Sequence, residues 1–269
     1  KGHHRDTSDS LSSWQRNMSF MSLRRRLPLL RWSVLRAAIS ARNFNISGQL
    51  GDGREEAAAD FVVAHARQGD IDDVLAILDR YAYEESFLVN VGDEKGKLLD
   101  EAVRRADPRI ALELGTYCGY GALRIARAAP LARVFSVELG ASNAEVAQRI
   151  WAHAGVADQI TCVVGTIADD GLTLDALEDF GVIQGVLDFL FIDHDKNAYL
   201  TDLLTITERG WLHRGSIVVA DNVRFPGSPK YRAFMREQQG EQWQTIEHST
   251  HVEYQSLIRD LVLESEYLG

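Results

Sequence analysis

The chain has 269 residues, 45% hydrophobic and 25% charged, a globular composition with room for one large domain and an appendage. A formal net charge of −10 argues against nucleic acid as the main partner. Two cysteines, Cys118 and Cys162, are too few for a disulfide framework and suit a reducing, cytoplasmic setting, and no apolar run reaches the roughly 18 residues of a membrane-spanning helix.

Residues 1–17, opening KGHHRDTSDS, read as a tag or leader and carry no weight for the fold. Residues 18–50 form a basic arm. Between residues 10 and 51 there is no Asp or Glu, while Arg16, Arg24, Arg25, Arg26, Arg31, Arg36 and Arg42 are interleaved with apolar residues. Leu27, Leu30, Val34, Leu35 and Ala38 could share one helical face. That pattern suits peripheral contact with an anionic membrane, an Arg- and Ser-rich leader, or a helix packed on the body, and the sequence leaves all three open.

Residues 51–269 read as one domain. Glu55–Ala66 and Ile71–Tyr83 have helical spacing, the second placed for capping by Asp70. Strand candidates Ile110–Leu114, Arg133–Glu138, Ile160–Val164, Leu187–Asp193 and Ser216–Asp221 then alternate with helices Tyr120–Ala129, Ser142–Ala154, Leu172–Asp179 and Ala198–Glu208. Ser142 with Glu145 has the pattern of a capping box. This alternation predicts an α/β, doubly wound, mostly parallel sheet. Trp243–Ser249 and Ser256–Leu263, joined by a short link, predict an antiparallel pair at one edge.

In such a sheet ligands sit beyond the carboxyl ends of the strands, and four of these ends are rich in acids or glycines. ELGTYCGYG places Gly115, Gly119 and Gly121 between strand and helix, without the spacing of a pyrophosphate loop. Glu138, 23 residues after Gly115, can accept ribose hydroxyls, so a nucleoside without a pyrophosphate is expected, S-adenosylmethionine being the common one. FIDHDK and VVADN contribute Asp193, Asp221 and Asn222, an oxygen-only set that suits Mg²⁺. Lys196, three residues after Asp193, can reach a substrate oxygen beside that metal and act as general base. Against this stands the ordinary reading of an Asp-rich loop as a helix cap.

From about Glu55 to Leu268 these residues resemble the catechol O-methyltransferase family. FLVNVGDEKGKLLDEAV, LELGTYCGYGALRIAR, SVEL, FIDHDKNAYL, VVADNVRFPGSPKY and HVEYQSLIRDLVLESEY fall in the family's order and spacing. The resemblance implies a seven-stranded sheet with an antiparallel edge hairpin, S-adenosylmethionine, Mg²⁺ and a catechol substrate. It implies Asp193, Asp221 and Asn222 as metal ligands, Lys196 as base and Glu253 as holder of the second catechol hydroxyl. Val91, Glu113, Gly115, Tyr117, Tyr120, Glu138 and His194 would line the cofactor pocket, with Glu138 on the ribose and His194 near the adenine. The chain departs from the pattern at four places. Asp195 replaces a tryptophan, Gly121 a serine at the methionine end of the cofactor, Ile167 and Ala168 a Ser-Gln pair near the adenine, and Phe87 and Val89 a tryptophan and a methionine that wall the catechol. A larger phenylpropanoid or flavonoid diphenol, or a membrane-associated cofactor-binding scaffold without catalysis, are the alternatives.

Overall fold

The computed structural model describes Gln49 and residues 51–269; residues 1–48 and 50 lie outside the described residues, and with them the expectations of a tag or leader and of membrane contact. Among the described residues three helices come first: α1 (Arg54–His65), α2 (Ile71–Glu84) and α3 (Gly92–Ala106). The alternating part follows as β1 (Ile110–Leu114), α4 (Tyr120–Ala128), β2 (Arg133–Glu138), α5 (Ala141–Ala154), β3 (Ile160–Val164), α6 (Leu172–Asp179), β4 (Leu187–Ile192), α7 (Tyr199–Glu208) and β5 (Leu212–Ala220). A π-type turn (Val223–Gly227), α8 (Pro229–Glu237), β6 (Trp243–His251) and β7 (Arg259–Tyr267) complete it.

The seven strands form one sheet in the order β3-β2-β1-β4-β5-β7-β6. The first five are parallel, and β7 runs antiparallel between β5 and β6. Both faces are covered. One apolar layer joins β1, β4 and β5 residues such as Ala111, Phe189 and Val219 to α1–α5, and the other packs Leu112, Leu190 and Val218 against Leu177, Leu203 and Tyr231 of α6–α8. This double cover is why the central strands read as unbroken apolar runs rather than alternating ones. Among the described residues no helix is long and apolar enough to cross a membrane.

Asp70 caps α2 as expected, its carboxylate accepting the Asp73 N–H at 3.0 Å. The Ser142–Glu145 capping box does not form. Helix α5 starts one residue earlier, behind Gly140, with no side-chain cap, and Ser142 lies inside it. Glu138 from the preceding strand takes over there, accepting the Gly140 N–H and the Asn143 amide.

Register places the site. Leu114 pairs with Ile192 and Ile192 with Ala220, so β1, β4 and β5 end level. The next residues, Gly115, Asp193 and Asp221, therefore stand in one row, tied by Asp193 N–H to Leu114 O at 2.9 Å and Asp221 N–H to Ile192 O at 3.1 Å. β1 and β4 are the neighbours between which the strand order reverses, the place where open α/β sheets leave a crevice.

Candidate active site

At the crevice the chains approach closely. Gly115 has φ +102°, and a Cβ there would lie 2.6 Å from the Asp193 carbonyl oxygen, so glycine is required both by conformation and by space. Beside it Tyr117 adopts φ 48°, which aims its N–H at Glu138 Oε2, 2.8 Å away. Glu138 Oε1 receives Gly140 N–H at 2.9 Å and Asn143 Nδ2 at 3.0 Å. These three donors hold the carboxylate at 2.8–3.0 Å, with the Thr116 N–H also drawn to it, and Oε2 carries one of the three against two on Oε1. Burial raises its pKa, against the pull of those hydrogen bonds.

Glu113, buried at the end of β1, accepts the Ser136 hydroxyl, and burial pushes its carboxyl well above the usual range. A Cβ at Gly121 would come within 2.1 Å of Glu113 Oε1, so the glycine that replaces a serine gives this carboxylate its place. Val91 is buried at the start of α3. Tyr120 is buried, but its hydroxyl points to Asp79 at 3.1 Å and receives Arg124 Nη1 at 2.8 Å. Tyr117 likewise sends its hydroxyl to Glu55 Oε1 at 2.9 Å. Ile167 is buried and Ala168 exposed on the turn after β3.

His194 stacks on Tyr199 with ring centroids 5.3 Å apart, and its Nε2 meets Asp202 Oδ2 at 2.7 Å. An ionised carboxylate only accepts, so Nε2 is the donor in this contact, and in the neutral imidazole Nδ1 is then an acceptor. That Nδ1 is buried without a hydrogen-bond partner among the described residues. It is an orphaned polar atom at the mouth of β4.

The other half of the row is charged. Lys196 Nζ donates to Asp193 Oδ1 at 2.9 Å and to the Tyr199 hydroxyl at 2.6 Å, and Tyr199 in turn donates to the Asp221 carbonyl at 2.9 Å. Asn222 sits in the left-handed region at φ 53°, and its Nδ2 donates to Glu253 Oε1 at 2.7 Å and to Asp260 Oδ2 at 2.9 Å. Lys95, only 1% exposed, lies among three carboxylates: Asp221 at 2.8 Å, Glu253 at 2.6 Å and Asp260 at 3.3 Å. Burial alone would lower its pKa; the surrounding carboxylates outweigh that and raise it. Burial pushes the Asp221 carboxyl up, Lys95 opposes, and Asp193 and Glu253 push it further.

Four carboxylates here (Asp193, Asp221, Glu253, Asp260) face two ammoniums (Lys95, Lys196), a formal deficit of two positive charges in a buried site. That balance, with the oxygens of Asp193, Asp221 and Asn222, fits a hard divalent cation. The set is two acids and an amide; no cluster of three His, Cys, Asp or Glu side chains arranged for a metal occurs among the described residues.

The structure thus brings Asp193, Lys196, Asp221, Asn222 and Glu253 together as the sequence suggested. It adds Lys95, Asp260 and Tyr199, which sequence reasoning passed over. Lys95 had a signal: with Leu99 and Ala102 it lies on the buried face of α3, an odd position for an ammonium. Asp195, in the tryptophan's place, is exposed and accepts Asn197 N–H at 3.0 Å, so this one acid of the loop does turn back on the chain as a local cap.

A family model described as O-methyltransferase matches residues 68–253. A probable O-methyltransferase of Mycobacterium tuberculosis is 70% identical over 232 residues, 86% of this chain and 100% of that protein. Catechol O-methyltransferase of Bos taurus is 34% identical over 213 residues, 79% of this chain and 76% of its own length. Among solved structures, the Streptomyces achromogenes O-methyltransferase TomG in complex with SAM superposes with TM-score 0.61 at 24% identity, covering 74% of this chain and 91% of that one. The strand-end row and the Gly115 crevice thus occur in a fold that O-methyltransferases share, and the matched sequence spans most of the domain that builds them: the chain belongs to the O-methyltransferase family.

Proposed function

We propose that this O-methyltransferase uses S-adenosylmethionine and Mg²⁺ to methylate one hydroxyl of a catechol, with Lys196 as general base. The observation that carries the reading is the charge-deficient row of Asp193, Asp221 and Asn222 beside Lys196 and Glu253. The likeness to bovine catechol O-methyltransferase and the SAM complex of TomG support the substrate and cofactor.

When bound, S-adenosylmethionine would supply an electrophilic methyl on a sulfonium, and Mg²⁺ at Asp193, Asp221 and Asn222 the charge that draws both catechol oxygens together and makes one more acidic. The chain's own residues do the rest. Glu138, held by three donors, offers Oε2 to a ribose hydroxyl, and His194 Nδ1 offers an acceptor to an adenine amine. Glu253 Oε1 is occupied by Lys95 and Asn222, which leaves Oε2 to accept from the hydroxyl that is not methylated. Lys196 Nζ takes the proton of the other hydroxyl. Once protonated it has two acceptors waiting, Asp193 Oδ1 and the Tyr199 oxygen, whose own proton is committed to the Asp221 carbonyl. Positive charge on the methyl donor and negative charge on the phenolate cancel as the bond forms, so the main task is alignment, worth at least about 7 kcal/mol in favourable cases.

Lys196→Ala should leave catechol binding intact and lower turnover by about 10² to 10⁴, the usual worth of a general base. Part of the loss should return at high pH, where the hydroxyl ionises unaided. A pH–rate profile of the variant, with an EDTA control on the parent, is the test; full parental activity in EDTA would remove the metal from the reading.

A further inference from the structure

We propose that Asp260 is a positioning residue that decides which end of the Asn222 amide faces the site, with Lys95 as its charge partner. Asp260 is 1% exposed and stands outside the reacting row, and apart from its charge none of the roles given to the site so far uses it. Both its oxygens are engaged. Oδ1 accepts the backbone N–H groups of Arg224 (3.2 Å) and Phe225 (2.9 Å), and Oδ2 accepts Asn222 Nδ2 (2.9 Å) and Lys95 Nζ (3.3 Å). One carboxylate thus clamps the turn after β5 and the side chain that opens it.

The consequence follows from hydrogen-bond chemistry. An Asn amide has one end that accepts and one that donates, and only the oxygen end can face a cation. Asn222 Nδ2 lies between Asp260 Oδ2 and Glu253 Oε1, two carboxylate oxygens that can only accept. The nitrogen is therefore held inward and Oδ1 outward. Without Asp260 one of the two restraints is gone, and the φ 53° conformation of Asn222 loses the N–H anchors just beyond it. Lys95 makes the arrangement tolerable, because it places an ammonium against Asp221, Glu253 and Asp260 at once. The sheet order supplies the geometry. β7 runs antiparallel beside β5 with Leu263 opposite Ala220, so its start carries Asp260 past the end of β5 to the level of the turn.

The inference rests on the reading of Asn222 as a cation ligand, and two measurements on the full chain separate them. The first is calorimetric titration with Mg²⁺ and, separately, with S-adenosylmethionine for the parent and for Asp260→Asn. In that variant an NH₂ must face either the two backbone N–H groups or Lys95 and Asn222 Nδ2, so one pair of donors always meets a donor. The expected result is a Mg²⁺ dissociation constant raised about 10- to 100-fold, the range for residues that orient metal ligands, with cofactor affinity unchanged. A folded variant that binds Mg²⁺ like the parent overturns the proposal. The second needs no variant to fold. In the parent labelled with ¹⁵N-asparagine, the Asn222 side-chain amide protons should exchange with solvent far more slowly than those of exposed asparagines. Exchange at the exposed rate overturns the proposal. A parent that binds no Mg²⁺ removes the metal reading instead, and the exchange rate still decides whether the amide is held.

Discussion

The carboxylates at the ends of β1 and β2 are as buried as those around β5 and the hairpin loop, yet the two groups are satisfied in opposite ways. Glu113 and Glu138 are held by neutral donors: a serine hydroxyl, two backbone N–H groups and an amide. Their partners come from the same βαβ stretch. Asp221, Glu253 and Asp260 are held by an ammonium that arrives from α3, 158 residues before Glu253 and 165 before Asp260. Burial pushes Glu113 and Glu138 up against the pull of these neutral donors, and it pushes Asp221 up as well, against Lys95. A half built this way can receive a cationic cofactor without displacing a protein cation. The other half carries its own cations and still lacks two charges.

The largest test of that contrast is Lys95→Met. Removing the ammonium leaves three buried carboxylates without their shared cation, with only neutral donors remaining, and breaking a buried ion pair costs about 3–5 kcal/mol. Urea unfolding should show a loss of that size, and added Mg²⁺ should restore part of it, since a divalent cation relieves the same repulsion. Parental stability in Lys95→Met would mean that the two halves do not differ as described.

The next test lies where the halves meet. Asp79 accepts from Tyr120, at the start of α4 in the cofactor half, at 3.1 Å, and from Tyr254, beside Glu253, at 3.2 Å. Burial pushes its carboxyl up to about 6 from the ordinary 3.8; the Tyr120 hydroxyl opposes and Asp93 adds to the rise. A carboxyl raised in the folded state stabilises most below its unfolded pKa, and that contribution is lost as pH rises through the folded value. Between about pH 4 and pH 7 the parent should therefore lose up to about 3 kcal/mol that Asp79→Asn does not lose. Urea titrations of both proteins across this window give the difference; parallel pH profiles would show that Asp79 does not carry the linkage.

The smallest effect concerns the cofactor half alone. Glu138→Ala should weaken S-adenosylmethionine binding by about 1.5–3 kcal/mol, the worth of hydrogen bonds to a charged group, and leave Mg²⁺ affinity as it was. Calorimetry with each ligand checks both parts. An equal loss of Mg²⁺ affinity would merge the two halves into one unit.

Most of the site's outline was legible in the sequence because the strands end level. Apolar runs that stop at Leu114, Ile192 and Ala220 already pointed to Gly115, Asp193 and Asp221, since an acid directly after a buried strand needs a partner. Asp70 announced its helix because a cap acts within three residues. The Ser142–Glu145 pattern failed for the complementary reason. A local cap motif competes with tertiary donors and acceptors, and Glu138 reached the helix start first.

The sequence by itself determined the alternation of strand and helix, the acid- and glycine-rich strand ends, and the types of side chain available for chemistry. These depend on periodicity and on contacts a few residues apart. Only the tertiary structure decided that β7 inserts between β5 and β6, that Lys95 lies among Asp221, Glu253 and Asp260, and that the Asn222 amide points its nitrogen inward. Those arrangements join residues more than 120 positions apart for Lys95, and 38 apart for Asn222 and Asp260. No spacing rule connects them: the low-dielectric core requires each buried charge to find a partner, and the fold determines which partner is within reach.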